Sequence, residues 1–473
     1  MQASKNPSPS ETIEARNHSN APFWLGRCLG ILALSAGLAA CGGSGGGDTP
    51  VDPPEIEEPT TPPEEPAPPV ADISAQCPVY QNEWLAVDTV LQAPITSTED
   101  YVGAQFRWRP ERDSSDVLTL NDARIRGRGN STWQLMPKKS YKLKLDKKTA
   151  LYGMTKGKDW AILANYADKT MLRNALAFCM ARTMELPYSP GSQFLEVELN
   201  GSYDGVYQLT NKVYEITDLV EDEAKQPGTN ADSEGFNDVF VLEMFLEAEI
   251  TGEVWFGTDS NINYQFDSKV ADEQQPARVQ AWMNELEALI ADRNDPQRMQ
   301  KVAERMDVQS LVDFYLINEL MGNQDAFRYS TYVYRRSHGK LNFGPVWDFD
   351  QALGLTGYIH DAEGWGYKPG ELNQYGWYFW ELLHEPEFFE LVQQRWQRLY
   401  ALVPSYGQFV GDSGQALEAA AGRNFERWPI LGQPVFTNAV AFDTYAEEVA
   451  YAQSWLRKRA DWMQNNIGSI TGR

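Results

Sequence analysis

Residues 42–76 set the first limit on what this chain can fold into. The stretch GGSGGGDTPVDPPEIEEPTTPPEEPAPPVADISAQ carries eight acidic residues and no lysine or arginine, among many prolines and glycines. A segment so poor in apolar side chains and so self-repelling cannot bury a core, and it reads as a disordered, extended tether. The fold must be built from Cys77 onward, over 397 residues. With 15 Trp, 22 Tyr and 20 Phe in the chain, the material for a large core is present. No second linker and no internal repeat interrupts residues 77–473, which read as one domain with two lobes.

Ahead of the tether, CLGILALSAGLAA at residues 28–40 is an apolar run of 13 following Arg27. It is short for a bilayer span and suits the h-region of a secretory signal. It ends in Leu38-Ala39-Ala40-Cys41, which resembles the lipobox of bacterial lipoproteins. The resemblance implies that residues 1–40 are a signal peptide, that residues 41–76 are the tether, and that the thiol of Cys41 is lipidated and holds the protein to a membrane. An ordinary signal peptide is the plainer reading. Gly42, rather than Asp, follows Cys41, which favours an outer-membrane or surface destination in the cell envelope. After processing, Cys77 and Cys179 remain; they either pair in an oxidising compartment or stay as two buried thiols. His338, His360 and His384 are scattered, with no zinc-ligand spacing.

Charge is informative by region. From Cys77 on there are 38 basic and 56 acidic residues, a net −18. Residues 124–182 alone hold 14 Lys or Arg against Asp146, Asp159 and Asp168, a net +11. The bland reading is a solvated basic sheet face; the sharper one is a bound anion. An acidic body on a membrane anchor speaks against nucleic acid.

The basic stretch opens with ARIRGRGNSTWQLMPKKSYKLKLDKK. Arg124-Ile125-Arg126 predicts a strand, and Gly127, Gly129 and Asn130 permit a tight turn and close backbone approach. A second strand, Lys139 to Leu145, puts Tyr141, Leu143 and Leu145 on one face and Lys142 and Lys144 on the other. That parity sets Lys139 on the apolar face, where a lysine needs a partner, unless the strand begins after it. Strand, glycine turn, strand and lysine is how kinases cover and grip nucleotide phosphates. Further on, Asp168 suits an N-cap for a helix to about Leu186, with Leu172, Leu176, Cys179 or Met180, and Thr183 or Met184 on its buried stripe; Arg173 and Asn174 lie off it. FLEVELNGSYDGVYQLTNKV reads as a hairpin turning at Asn200-Gly201. VFVLEMF reads as a strand whose Glu243 should meet a cation.

The acidic stretch begins with a helix at DVQSLVDFYLINELM, with Asp307 as its N-cap. The chain leaves as GNQDAFRYS, with Asp325 on the loop. A strand from Thr331 to Arg335 turns at Ser337-His338-Gly339 and returns from Leu341 to Trp347, ending at Asp348 in GPVWDFDQALG. On an extended backbone Asp348 and Asp350 point to one side and Phe349 to the other. Helix, loop with an acid, hairpin, and acid at a strand end is the layout of a kinase catalytic loop and metal-binding aspartate.

RGRGNSTW, PKKSYKLKL, DWAILANYADKTMLRN, FLEVELNGSYDGVYQL, NELMGNQDAF and GPVWDFDQALG, in that order, resemble the CotH kinase family of atypical protein kinases. The resemblance covers residues 100–355 strongly and the helical remainder weakly. It implies an α+β, divergent two-lobed protein-kinase-like fold. An N-terminal lobe of mostly antiparallel strands, residues 77 to about 270, would precede a helical lobe. It also implies an enzyme that uses ATP and Mg²⁺, or Mn²⁺, to phosphorylate a Ser or Thr hydroxyl of a protein. Asp325 would match the catalytic aspartate, and Asp348, with Asp350, the metal-binding aspartate. Arg128, Asn130, Lys139 and Lys142 are the candidate nucleotide contacts, with Glu243 as the acid beside them and Lys138 as a further candidate lysine. Two positions depart from the pattern. Asn211 stands where the family commonly has Glu. Ser330 stands where a kinase offers an Asn ligand to a second Mg²⁺, so it is a candidate but weaker metal ligand.

These departures, and the scarcity of ATP outside the cytoplasm, keep a second class in view: a pseudokinase acting as an anchored binding or scaffold module. A glycoside hydrolase is disfavoured, because Asp348 and Asp350 are too close in sequence to flank a sugar ring. Gly411-Asp412-Ser413-Gly414 lacks the partners of a serine protease.

Overall fold

The computed structural model describes residues 70–80, 83–211, 214–226, 231–232, 235–245, 254–357, 359–366 and 376–470. The leader, the Cys41 motif and the tether as far as residue 69 lie outside the described residues. None of the described helices is long and apolar enough to cross a membrane.

Seven strands come first: β1 (Glu83–Thr89), β2 (Val102–Arg109), β3 (Leu118–Arg128), β4 (Ser140–Thr149), β5 (Gly157–Leu163), β6 (Ser192–Leu199) and β7 (Ser202–Thr210). Their alternation follows the sequence pattern. In β4, Tyr141, Leu143 and Leu145 are buried while Lys142 and Lys144 face outward. The β6–β7 hairpin turns at Asn200 and Gly201, both with positive φ (51° and 77°), the pair a tight primed turn requires.

These strands do not form the simple sheet of a kinase N-terminal lobe. In the order β1-β2-β3-β4-β5-β7-β6 they close into a barrel, because β1 pairs in parallel with β6, Leu85 lying opposite Val197. The inward rows fill the barrel with Leu85, Phe106, Ile125, Leu143, Trp160 and Tyr207. The two-lobed kinase-like fold expected from the sequence is thereby corrected: a closed barrel, a second sheet and helices make up the body. Closure satisfies both edge strands through one non-local pairing, and local alternation carries no trace of it.

The second sheet has the order β12-β11-β8-β10-β9. Its strands are β8 (Phe240–Met244), β9 (Trp255–Gly257), β10 (Asn263–Phe266), β11 (Thr331–Arg335) and β12 (Leu341–Phe343). The returning strand expected as far as Trp347 stops at Phe343; Gly344 has φ 122° and Pro345 has no N–H to give a ladder.

The helices are α1 (Ser131–Leu135), α2 (Arg173–Thr183), α3 (Tyr214–Ala224), α4 (Gln275–Ala291), α5 (Arg298–Arg305), α6 (Val308–Met321), α7 (Trp377–Leu382), α8 (Pro386–Ala401), α9 (Val403–Arg427) and α10 (Tyr445–Asn466). Two of them place the site. In α2 every residue but Arg182 is buried, so the helix runs through the core rather than over it. Its Cys179 is disulfide-bonded to Cys77, which resolves the two readings of that pair. α6 starts at Asp307, whose side chain accepts from Ser310 N (3.1 Å), and ends at Gly322 in the left-handed region (φ 60°). Gly411-Asp412-Ser413-Gly414 lies within α9, with Ser413 buried.

Candidate functional site

The acidic wall grows out of the end of α6. Asn323 donates to Asn318 Oδ1 (3.1 Å) and accepts from Asp325 N (3.2 Å), so two amide side chains fix the exit of the loop. Asp325 is half-buried, and its carbonyl accepts from Arg328 N and Tyr329 N (3.1 and 2.8 Å). That turn brings Ser330 to Asp348, with Ser330 Oγ donating to Asp348 Oδ2 at 3.0 Å.

Asp348 is not on an extended strand. Its φ is +67°, in the left-handed region, so the alternation argument for Asp348 and Asp350 does not apply. The turn achieves their proximity by another route. Phe349 is fully buried and its N–H donates to Asn174 Oδ1 (2.8 Å), leaving the flanking aspartates half-exposed. Although part of Asp350 reaches solvent, its carboxyl sits among protein atoms. Burial pushes it well above the ordinary carboxylate range, and the negative charges of Asp348, Asp168 and Asp325 push the same way; Arg173 opposes them. Three carboxylates therefore act on Asp350 here, and a cation would relieve the repulsion.

Glu243 joins this wall through Tyr332, its cross-strand neighbour. The Tyr332 phenol is driven far above its ordinary range, first by burial and then by Glu243, Asp267 and Asp348. Where the sequence leads one to expect a cation at Glu243, its carboxylate accepts from the Gln265 side-chain amide (3.0 Å).

The basic wall is the end of β3. A side chain at Gly127 would collide with the Trp133 ring, 2.5 Å from an added Cβ, so glycine lets α1 fold back over the strand. Arg128 then places its guanidinium over the ring of Trp347 (5.4 Å), and Trp347 stacks on Phe178 of α2 (5.8 Å). The basic and acidic stretches thus meet at Trp347–Asp348. The other basic candidates are engaged elsewhere. Asn130 is the N-cap residue of α1 and accepts from Gln134 Nε2 (3.1 Å). Lys139 donates to Trp133 O (2.5 Å). Lys142 pairs with Asp159 (3.1 Å). Of Lys138, Lys139 and Lys142, the buried one is Lys138, because β4 begins at Ser140 after a bend at Pro137–Lys138. Asn211 donates to Glu215 Oε2 (3.1 Å) and accepts from Gly191 N (2.9 Å), at the α3 side of the barrel.

Sequence reasoning missed Asp168, Arg173 and Asn174 as parts of this region. Asp168 is not the N-cap, which is Leu172; its carboxylate nevertheless accepts from Arg173 N (3.0 Å) and from Arg173 Nη1 (2.5 Å). The available signal was two polar residues off the apolar stripe of a helix that has no solvent face.

Among the described residues no three carboxylate, imidazole or thiol groups form a metal cage by themselves. Mg²⁺ is usually held by one or two carboxylates plus phosphate oxygens and water. Asp348 and Asp350 are the candidate carboxylates for such an ion, with the Ser330 hydroxyl bonded to Asp348.

A family model described as CotH kinase protein matches residues 125–463, from within β3 to near the end of α10. The match takes in both walls. No curated protein matches the chain.

Proposed function

The chain belongs to the CotH kinase family, and from that premise we propose that it transfers phosphate from ATP to a Ser or Thr hydroxyl of a protein at the cell envelope. The observation that carries this reading is the junction at Trp347, where the basic end of β3 lays Arg128 over the ring that immediately precedes Asp348. Opposed charge of this kind fits a polyphosphate with its divalent ion. Asp348 and Asp350 would hold Mg²⁺, or Mn²⁺, with Ser330 fixing the Asp348 carboxylate. Bound there, the ion would neutralise phosphate charge. Asp325, on its own loop, would orient the acceptor hydroxyl and take its proton. Arg128 is the phosphate contact we favour; Lys142 would reach a phosphate only by leaving Asp159.

The envelope location rests on the Cys41 motif, and the Cys77–Cys179 disulfide supports it, since such bonds persist in oxidising compartments. A second reading, a pseudokinase that binds without transferring phosphate, is favoured by two positions. Ser330 offers only a hydroxyl, already bonded to Asp348, and Asn211 is held by Glu215 and Gly191.

Calorimetry with ATP decides between them in part. Binding should require Mg²⁺ or Mn²⁺ and should vanish in Asp348→Ala. Asp325→Ala should keep binding and lose transfer of labelled phosphate to envelope proteins. Absence of nucleotide binding with either metal would sink the kinase reading, and binding without transfer in the wild type would favour the pseudokinase.

A further inference from the structure

The phosphate transfer proposed above assigns no role to the head of α2, yet that helix end is bonded to the segment that carries Asp348 and Asp350. Arg173 and Asn174 are 1% and 3% exposed, unusual for a guanidinium and an amide at the first turn of a helix. Both direct hydrogen bonds to one stretch of chain. Asn174 Oδ1 accepts from Phe349 N (2.8 Å), and Arg173 Nε donates to Ala352 O (2.8 Å). Arg173 is itself fixed by Asp168, through its backbone amide and Nη1. Its remaining nitrogen, Nη2, has no hydrogen-bond partner among the described residues, and the guanidinium charge acts attractively on Asp350. On the opposite side, Leu353 N donates to Met321 O at the end of α6 (2.7 Å).

We propose that Arg173 and Asn174 are positioning residues that clamp the 348–352 turn from the α2 side, holding Asp348 and Asp350 at a fixed separation before a cation arrives. The inference rests on the reading of those two aspartates as metal-holding groups. Its physical logic is electrostatic. Two carboxylates one residue apart, with Asp168 and Asp325 nearby, repel one another, and a free turn would open to separate them. The buried bonds of α2 oppose that opening at both ends of Phe349–Ala352. The cost of arranging the ligands is met in folding rather than at binding, and affinity gains by that amount. Groups that orient ligands without touching the metal typically change its affinity 10- to 100-fold when removed.

Mn²⁺ titration of the full-length chain, followed by the electron paramagnetic resonance of the free ion, tests this. Asn174→Leu should weaken Mn²⁺ binding about tenfold or more. Asn174→Thr, whose uncharged hydroxyl oxygen can still accept from Phe349 N, should recover most of that loss. Thermal unfolding in parallel separates the clamp from general damage, since a merely structural role would lower the midpoint of both variants without this split in affinity. Where Asn174→Leu does not fold, Asn174→Ala is read in the same way. Wild-type affinity in the Leu variant, or equal losses in the Leu and Thr variants, overturns the clamp while leaving the metal site standing. A wild-type chain that binds no Mn²⁺, or an Asp348→Ala chain that binds it normally, overturns the metal site and the clamp with it.

Discussion

Lys138 shows what one residue does when the chain takes it out of water. Its Nζ donates to Ala164 O (3.0 Å), to Val206 O and to Asn424 Oδ1 (2.9 Å), and lies 4.4 Å from the centre of the Tyr207 ring. It ties the barrel to α9. Burial lowers its pKa to about 7, with Asp204 acting in the opposite direction. The sign follows from linkage. Between about pH 7 and the ordinary lysine value of 10.5 the unfolded chain binds more protons at this site than the folded one, so its contribution to stability rises with pH across that window. Below about 7 both states are protonated and the burial cost stands in full. Lys138→Met should remove the alkaline rise relative to wild type. It should also cost about 2 kcal/mol at pH 9, because the neutral amine still gives two hydrogen bonds and the carbonyls of Ala164 and Val206 lose that donor, while Asn424 Oδ1 keeps Val206 N. Urea unfolding at pH 7 and pH 9 measures both, and an unchanged rise in the variant would contradict the assignment. Sequence parity pointed one residue away, at Lys139. Alternation identifies an inward position only once the strand has begun, and Pro137 delays that start to Ser140.

At the scale of elements, α2 is the piece on which the others depend. Its apolar stripe was readable as a helix, and its embedding in the core was not, because burial of the opposite face comes from elements far away in sequence. The same distinction holds elsewhere. The β6–β7 hairpin was legible because Asn200-Gly201 encodes its own turn. The pairing of β1 with β6 was invisible because nothing local marks it, and the expected kinase lobe failed there. The left-handed turn at Asp348 was equally hidden, since aspartate tolerates that region without requiring it. Into α2 runs the Cys77–Cys179 bond, closing a loop with a sequence separation of 102. A cross-link of that span restricts the unfolded chain by about 4.7 kcal/mol in the loop-entropy account. The Cys77→Ala/Cys179→Ala double variant should lose roughly 2–5 kcal/mol of unfolding free energy. A reductant should bring the wild type toward that value and leave the variant alone. Insensitivity of the wild type to reductant would remove the bond from the account of stability.

Across the whole molecule, charge is divided between two walls that are remote in sequence. The body is net −18 from Cys77, while residues 124–182 are net +11. This division is legible from composition alone, because a regional excess of one charge does not depend on how the chain folds. Which basic side chain would meet the acids was not legible. Most of the candidates are engaged nearer home, Lys142 with Asp159 and Lys139 with Trp133. Arg128 remains at the meeting point because Gly127 admits Trp133 and β3 delivers its last residue to Trp347. If a nucleotide with its divalent ion spans the two walls, removing the barrel's contribution should weaken binding without harming the fold. Arg128→Ala should raise the Kd for Mg·ATP about tenfold, the order expected for one charge-assisted hydrogen bond. Arg128→Lys should fall between, since it keeps the charge and loses the planar guanidinium on the Trp347 ring. Unfolding free energy should change by no more than about 1 kcal/mol, because a partly exposed cation over a ring contributes about 0.5–1 kcal/mol. Wild-type affinity in Arg128→Ala would mean that the barrel wall does not share the ligand, and phosphate recognition would have to lie wholly on the side of α6 and the second sheet.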